Sequence, residues 1–249
     1  MPQQKSYKIL LIGDSCIDEY VYGSCERLNP EAPVPILKYG RKETRKGMAW
    51  NVRENLKAFG LEVYMITNSE NIVKTRYIDE KYNHQILRVD TEDRLKPMEH
   101  DLPNEKFDAL VISDYNKGFI TQDKLFHLVF NSRIPVFVDS KKTYLPESNC
   151  FIKINDNESK LLKSKNDNLI ITKGSDGAEY NGITYPGEKV GVFDVVGAGD
   201  TFLASLVYFY LIYGTIEEAI PFANRAASIA VQNFGTYVLT KGDIDEICN

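Results

Sequence analysis

Apolar runs of five or six residues, each closed by a polar break, recur from the start of the chain. Lys8-Ile9-Leu10-Leu11-Ile12 ends at Gly13-Asp14 and predicts a buried strand whose C-terminal end delivers polar residues to a crevice. Tyr20–Tyr22 and Val34–Tyr39 predict two short strands joined by the proline-punctuated Arg27–Pro33 connection; Pro33 and Pro35 demote the second to an edge, so the pair reads as a flap. A helix follows over Gly47–Phe59, with Ala49, Val52, Leu56 and Phe59 on one face and Gly60 as its stop. Leu61–Thr67 is a strand, Ile72–Ile78 and Gln85–Val89 an antiparallel pair, and polar Asp93–Pro103 a surface connection.

From Phe107 onward the pattern is regular. Strands over Asp108–Ser113, Pro135–Asp139, Cys150–Ile154 and Leu169–Thr172 alternate with helices over Thr121–Asn131 and Asn155–Lys163. Alternation of this kind predicts a mostly parallel α/β sheet flanked by helices, with ligands at the C-terminal ends of its strands. Asn181-Gly182 centres a hairpin over Gly177–Tyr185, and helices close the chain over Gly199–Tyr213 and Ile216–Gln232. Residues 1–249 are expected to form a single domain, with a small β lid drawn from about 19–40 and 72–90.

Composition narrows the function classes. The 249 residues carry a formal charge of -5 without a Lys/Arg block, which argues against a nucleic-acid partner. The first apolar run is too short for a signal sequence, and Phe202–Tyr213 falls short of the ~20 residues of a membrane span. A cytoplasmic protein without a membrane partner is expected. Four scattered cysteines and three histidines without ligand spacing predict neither a disulfide framework nor structural zinc.

The chemistry concentrates in Asp194-Val-Val-Gly197-Ala198-Gly199-Asp200-Thr201. Side chains are nearly absent from Gly197 to Gly199, so amides at a helix start can approach an anion, and Asp200 at its mouth can take a proton from an attacking hydroxyl. The competing reading is that Asp200 only caps the helix. Phe202 stands where a dinucleotide fingerprint needs its third glycine, and no Walker motif occurs. Asn155 and Glu158, three apart at a helix start, suit either a hydrated Mg²⁺ or a capping box. Asp14 and Asp18 could grip sugar hydroxyls or bond their own loop.

These segments resemble the ribokinase-like sugar kinases. Asp194–Asp200 is similar to that family's D-x-x-G-A-G-D signature, Asn155–Glu158 to its N-x-x-E, and Gly47–Asn51 to its N-terminal glycine motif. Arg27–Pro35, Ser113–Gly118 and Asp139-Ser140-Lys141 resemble its D-glycero-β-D-manno-heptose 7-phosphate kinase branch, and the likeness runs from about Lys8 to Ile244. The resemblance implies a three-layer ribokinase-like fold and ATP-dependent phosphorylation of the heptose phosphate at C1. It makes Asp200 the general base and the Gly197, Ala198 and Gly199 amides the anion hole, with Asp194 supporting the turn. It places Asn155 and Glu158 on Mg²⁺-ATP through water, Thr172 and Gly174 beside the phosphates, and Asn224 toward adenine. Asp18 and Asn51 would hold sugar hydroxyls, while Asp114, Lys117, Arg76 and Arg88 are candidates for the distal phosphate. A homodimer through the lid is also implied. Met48 and Trp50 depart from the family's small residues, and the chain is short after Gly60 and again after Glu158. Those departures keep open a different sugar acceptor, or a sugar-phosphate-binding module without turnover.

Overall fold

In a computed structural model, described over residues 6–92, 95–99 and 102–249, two sheets share the chain unequally. The larger is built from β1 (Lys8–Gly13), β4 (Glu62–Thr67), β7 (Ala109–Asp114), β8 (Val136–Ser140), β9 (Phe151–Asn155), β10 (Leu169–Thr172), β11 (Ala178–Tyr180) and β12 (Ile183–Tyr185). Its order is β12-β11-β10-β9-β8-β7-β1-β4, parallel from β4 to β10 and antiparallel at β10–β11 and β11–β12. Asn181 and Gly182 both take positive φ at the hairpin turn, as a two-residue connection of this twist requires.

Two apolar layers hold this sheet. On one face, α1 (Ala49–Ala58), α4 (Ala198–Tyr213) and α5 (Ile216–Ala230) bury Val52, Leu56, Phe202, Leu206 and Ala223 against Ile9, Leu11 and Val111. On the other, α2 (Gln122–Phe130) and the segments carrying Leu95, Met98, Phe119 and Ile120 cover Leu10, Ile12, Leu110 and Ile112. Each fully buried aliphatic or aromatic side chain contributes about 1.5–3 kcal/mol. Among the described residues no helix lies between α1 and α2: β4 passes to β5 (Ile72–Asp79) through residues 68–71. The Asp93–Pro103 connection lies partly outside the described residues.

The second sheet, in the order β3-β2-β5-β6, contains the segments expected to form a lid. It is larger than the hydrophobic pattern predicts: β2 (Ser15–Leu28) and β3 (Pro35–Met48) are 14 residues each, and β6 spans His84–Glu92. The expectation stopped at Tyr39 because Arg41–Lys46 is charged. On a solvated sheet such residues pair across strands, as Lys42 does with Glu19 at 2.5 Å. Both long strands root directly in the body. β2 starts one residue after Asp14, and β3 enters α1 through Met48, so the predicted helix start at Gly47 is corrected to Ala49.

Two further boundaries differ. The predicted Asn155–Lys163 helix contracts to α3, Asp156–Ser159, where Ser159 Oγ turns back to the Asp156 carbonyl at 2.8 Å and competes with continuation. A C-terminal helix, α6 (Lys241–Cys248), was not expected; Thr240 and Asp243 cap it reciprocally.

Candidate active site

Parallel register brings the strand ends into one row. Gly13 lies beside Ser113, Ser113 beside Asp139, Asp139 beside Lys153, and Asn155 beside Thr172. Above this row opens a cavity of about 370 Å³ lined by Tyr115, Asp139, Lys141, Lys153, Asn155, Thr172, Gly174 and the Gly197–Asp200 turn. A more apolar cleft adjoins it, sharing Thr172, Gly174, Val195, Ala198, Gly199 and Val231 and continuing to Val190, Phe202 and Asn224. The arrangement suits a ligand with an apolar end and an anionic end.

The anionic end faces the start of α4. Gly197 caps the helix at φ 80, and a Cβ there would lie 2.7 Å from Asn51 Nδ2; one at Gly199 would lie 2.8 Å from Lys153 Nζ. Glycine is required at Gly197 on both counts. Asp194 braces the turn by accepting from Val196 N at 3.1 Å and Gly235 N at 2.9 Å. The helix dipole adds a field favouring negative charge.

Asp200 is buried at the helix start. Its Oδ1 accepts from Tyr115 Oη at 2.7 Å and its Oδ2 from Asn51 Nδ2 at 3.1 Å. Burial pushes the carboxyl up to about 6, the Tyr115 hydrogen bond opposes that rise, and Asp139 adds to it. Such a group is ionised at neutral pH yet basic enough to accept a proton. Behind the turn, Lys153 Nζ lies 2.5 Å from Asp139 Oδ2, and both are buried. Lys141 pairs with Glu158; although burial opposes it, Asp139 and Glu158 hold its ammonium above the ordinary lysine range.

Asn155 and Glu158 form a capping box on α3. Asn155 Oδ1 accepts from Glu158 N and Glu158 Oε2 from Asn155 N, each at 2.9 Å. Of the two, only Asn155 lines the cavity. No group of three or more His, Cys, Asp or Glu that could hold a metal occurs among the described residues. Asn224 lines the apolar cleft while donating to the carbonyls of Tyr185 at 2.9 Å and Pro186 at 3.2 Å, which ties the hairpin to α5.

The lid approaches from the other side. Asp18, on β2, is buried with Arg76, on β5, whose Nη2 lies 3.4 Å from Asp18 Oδ1; Arg76 Nε has no partner. Gly47 exists as glycine because any Cβ would collide with the Asp18 carboxylate. The departures are visible here. Met48 adopts φ 57, ψ -132, a conformation that costs a side-chain-bearing residue about 1–3 kcal/mol, and Trp50 lies between Lys46 at 4.0 Å and Arg53 at 5.1 Å.

The remaining distal-phosphate candidates lie away from the cavity lining. Asp114 is consumed by Ser140 Oγ at 2.6 Å and Lys142 Nζ at 2.8 Å. Lys117 pairs with Glu92 at 2.5 Å, and Arg88 with Asp90 at 2.7 Å on an exposed strand. Tyr115, between Asp114 and Lys117, is the residue of that segment that reaches Asp200. An aromatic with a hydroxyl immediately past a central strand was the available signal.

Comparison with known proteins agrees with this geometry. Residues 152–241 match the model of the pfkB family carbohydrate kinases. The bifunctional protein HldE of Nitratiruptor sp. is 31% identical, with 96% of this chain and 64% of that protein covered; HldE of Sulfurimonas denitrificans is 33% identical with the same coverage. The chain therefore spans a little under two thirds of the length of these curated relatives. By structure it is similar to ribokinase from Thermotoga maritima, with TM-score 0.71, 15% identity and coverage of 97% of this chain and 99% of that one. Phosphofructokinase-2 from Escherichia coli follows at TM-score 0.70 and 16% identity, with 97% and 98% covered. Over residues 152–241 the chain is thus similar to the pfkB family carbohydrate kinases, and its fold as a whole is ribokinase-like.

Proposed function

We propose that this chain transfers the terminal phosphoryl group of ATP to the C1 hydroxyl of D-glycero-D-manno-heptose 7-phosphate, giving the 1,7-bisphosphate. The observation that carries the reading is Asp200: a buried carboxylate at about 6, set beside a glycine turn at the start of a 16-residue helix. The acceptor hydroxyl gives its proton to Asp200 as its oxygen attacks phosphorus; the amides of Gly197, Ala198 and Gly199 take up the charge on the transferring group. Thr172 and Gly174 border the phosphates, and Asn224 the base. Bound Mg²⁺ supplies charge neutralisation on the nucleotide; Asn155 fits as a polar group facing its water shell, and Glu158 holds Asn155 in place. Asp18, Asn51 and Arg76 hold the sugar phosphate.

The heptose assignment is supported by the likeness of Arg27–Pro35 and Ser113–Gly118 to heptose 7-phosphate kinases. ATP use is supported by the fold shared with an Arabidopsis thaliana ribokinase complexed with ribose and ATP. Exposed Leu28, Val34, Tyr39 and Leu87 on the lid support pairing of two chains there, which sedimentation or light scattering measures directly. ADP release with a panel of sugars and sugar phosphates tests the function. Release with heptose 7-phosphate, abolished in Asp200→Asn, is expected. Release only with another sugar overturns the substrate, and binding without release from any of them overturns turnover.

A further inference from the structure

Tyr115 is more firmly positioned than a residue lining an open cavity needs to be. Its backbone N–H donates to Asp14 Oδ2 at 2.7 Å, and the same oxygen takes Lys117 N at 3.2 Å. Asp114 Oδ1 accepts from Asn116 N at 2.9 Å, and Asn116 turns the chain at φ 56. The Asp114 carboxylate is itself fixed by Ser140 and Lys142. The charged residues of this loop thus point away from the cavity and hold one aromatic side chain over it.

The ring is held from both sides as well. Lys74 Nζ, from the lid strand β5, lies 5.8 Å from its centroid and Lys141 Nζ, from the body, 5.6 Å, within cation–π range. Its hydroxyl ends 2.7 Å from Asp200 Oδ1. From the elements packed around this pair, Asn51 on α1, Asp139 on β8, Lys153 on β9 and Cys16 on β2 also face it.

We infer that Tyr115 is a positioning residue for phosphoryl transfer: its hydroxyl donates to Asp200 Oδ1, fixes the carboxylate against Asn51, and leaves the remaining lone pairs for the acceptor hydroxyl. The inference rests on reading Asp200 as the base. An ionised carboxylate only accepts hydrogen bonds, so a fixed donor favours that form over the protonated one. Burial, with Asp200 beside it, raises the Tyr115 phenol well above its ordinary range, so it stays a donor wherever the enzyme works. Phenylalanine at this position retains the ring and its flanking lysines and removes only the donating hydroxyl.

The experiment follows Asp200 in the full chain by carboxyl-¹³C NMR titration, which needs no turnover, alongside the pH dependence of kcat/KM for the acceptor. Tyr115→Phe is expected to raise the Asp200 midpoint and the acid limb of the rate profile together, by about one pH unit for loss of a charge-assisted bond. Replacing Tyr115 by 3-fluorotyrosine, a better donor of nearly the same shape, moves both the other way and serves equally if the phenylalanine variant fails to fold. An unmoved midpoint in the variants that fold, or a rate loss equal at every pH, overturns the inference. A wild type that phosphorylates nothing defeats the proposed function, while the NMR midpoint still decides the role of Tyr115.

Discussion

At the start of α4 the site is made of backbone: three small residues, a helix terminus and a bracing aspartate, all within Asp194–Asp200. Across Asp200 lie side chains drawn from distant parts of the chain: Asn51 from α1 and Tyr115 from the loop after β7, with the Asp18–Arg76 pair of β2 and β5 proposed to complete the acceptor end. The donor end needs only a local conformation, which few sequences adopt and which therefore resembles itself from protein to protein. The acceptor end needs long-range registry, and each contributing element is free to change. The family model matches residues 152–241, whereas the departures Met48 and Trp50 fall at the end of β3 and the start of α1.

This contrast can be broken by substitution. The largest effect is expected at the point common to both ends: Asp200→Asn lowers kcat by roughly 10³-fold, with nucleotide affinity, followed by calorimetry, nearly unchanged. On the donor side, Gly199→Ala forces a Cβ toward Lys153 Nζ and lowers kcat by about 10²-fold; steady-state kinetics should show the acceptor KM little altered. On the acceptor side, Asp18→Asn raises the acceptor KM by about 30-fold through loss of a charged contact and leaves the KM for ATP in place. Equal changes in both KM values would erase the distinction between the two ends. Lowering pH acts through Asp200, and also through Asp18, whose carboxyl is raised by burial. The Asp200 carboxyl, raised to about 6, is ionised above that value and protonated as pH falls through it, so kcat/KM at pH 5 should be about tenfold below its plateau. The smallest effects belong to Arg88→Ala and Lys117→Ala, which remove exposed or half-exposed ion pairs and should alter either KM by less than about threefold.

The sequence was most readable where structure is local. Apolar runs ending in Asp14, Ser113-Asp114, Asp139 and Asn155 give the parallel sheet and the row of polar strand ends, and Asp194–Thr201 gives the turn. Reading failed where pairing partners lie far apart. Charged Arg41–Lys46 becomes strand only because β2 lies beside it, and the charges of Ser113–Gly118 point to phosphate until Asp14, Lys142 and Glu92 are seen to hold them. Asn155 and Glu158 form the capping box that their spacing allows, and Asn155 also lines the cavity.

The lid carries one more consequence. Its two long strands leave β1 and enter α1 without an intervening loop, so the lid is a cantilever with no swivel at its root. Pressing on its tip bends the ribbon, most easily at the register shifts beside Gly23 and Cys25, and loads α1 as a torque. Asn51, on the first turn of that helix, bears on Asp200. A load on the ribbon is thereby passed through Asn51 to the Asp200 carboxylate.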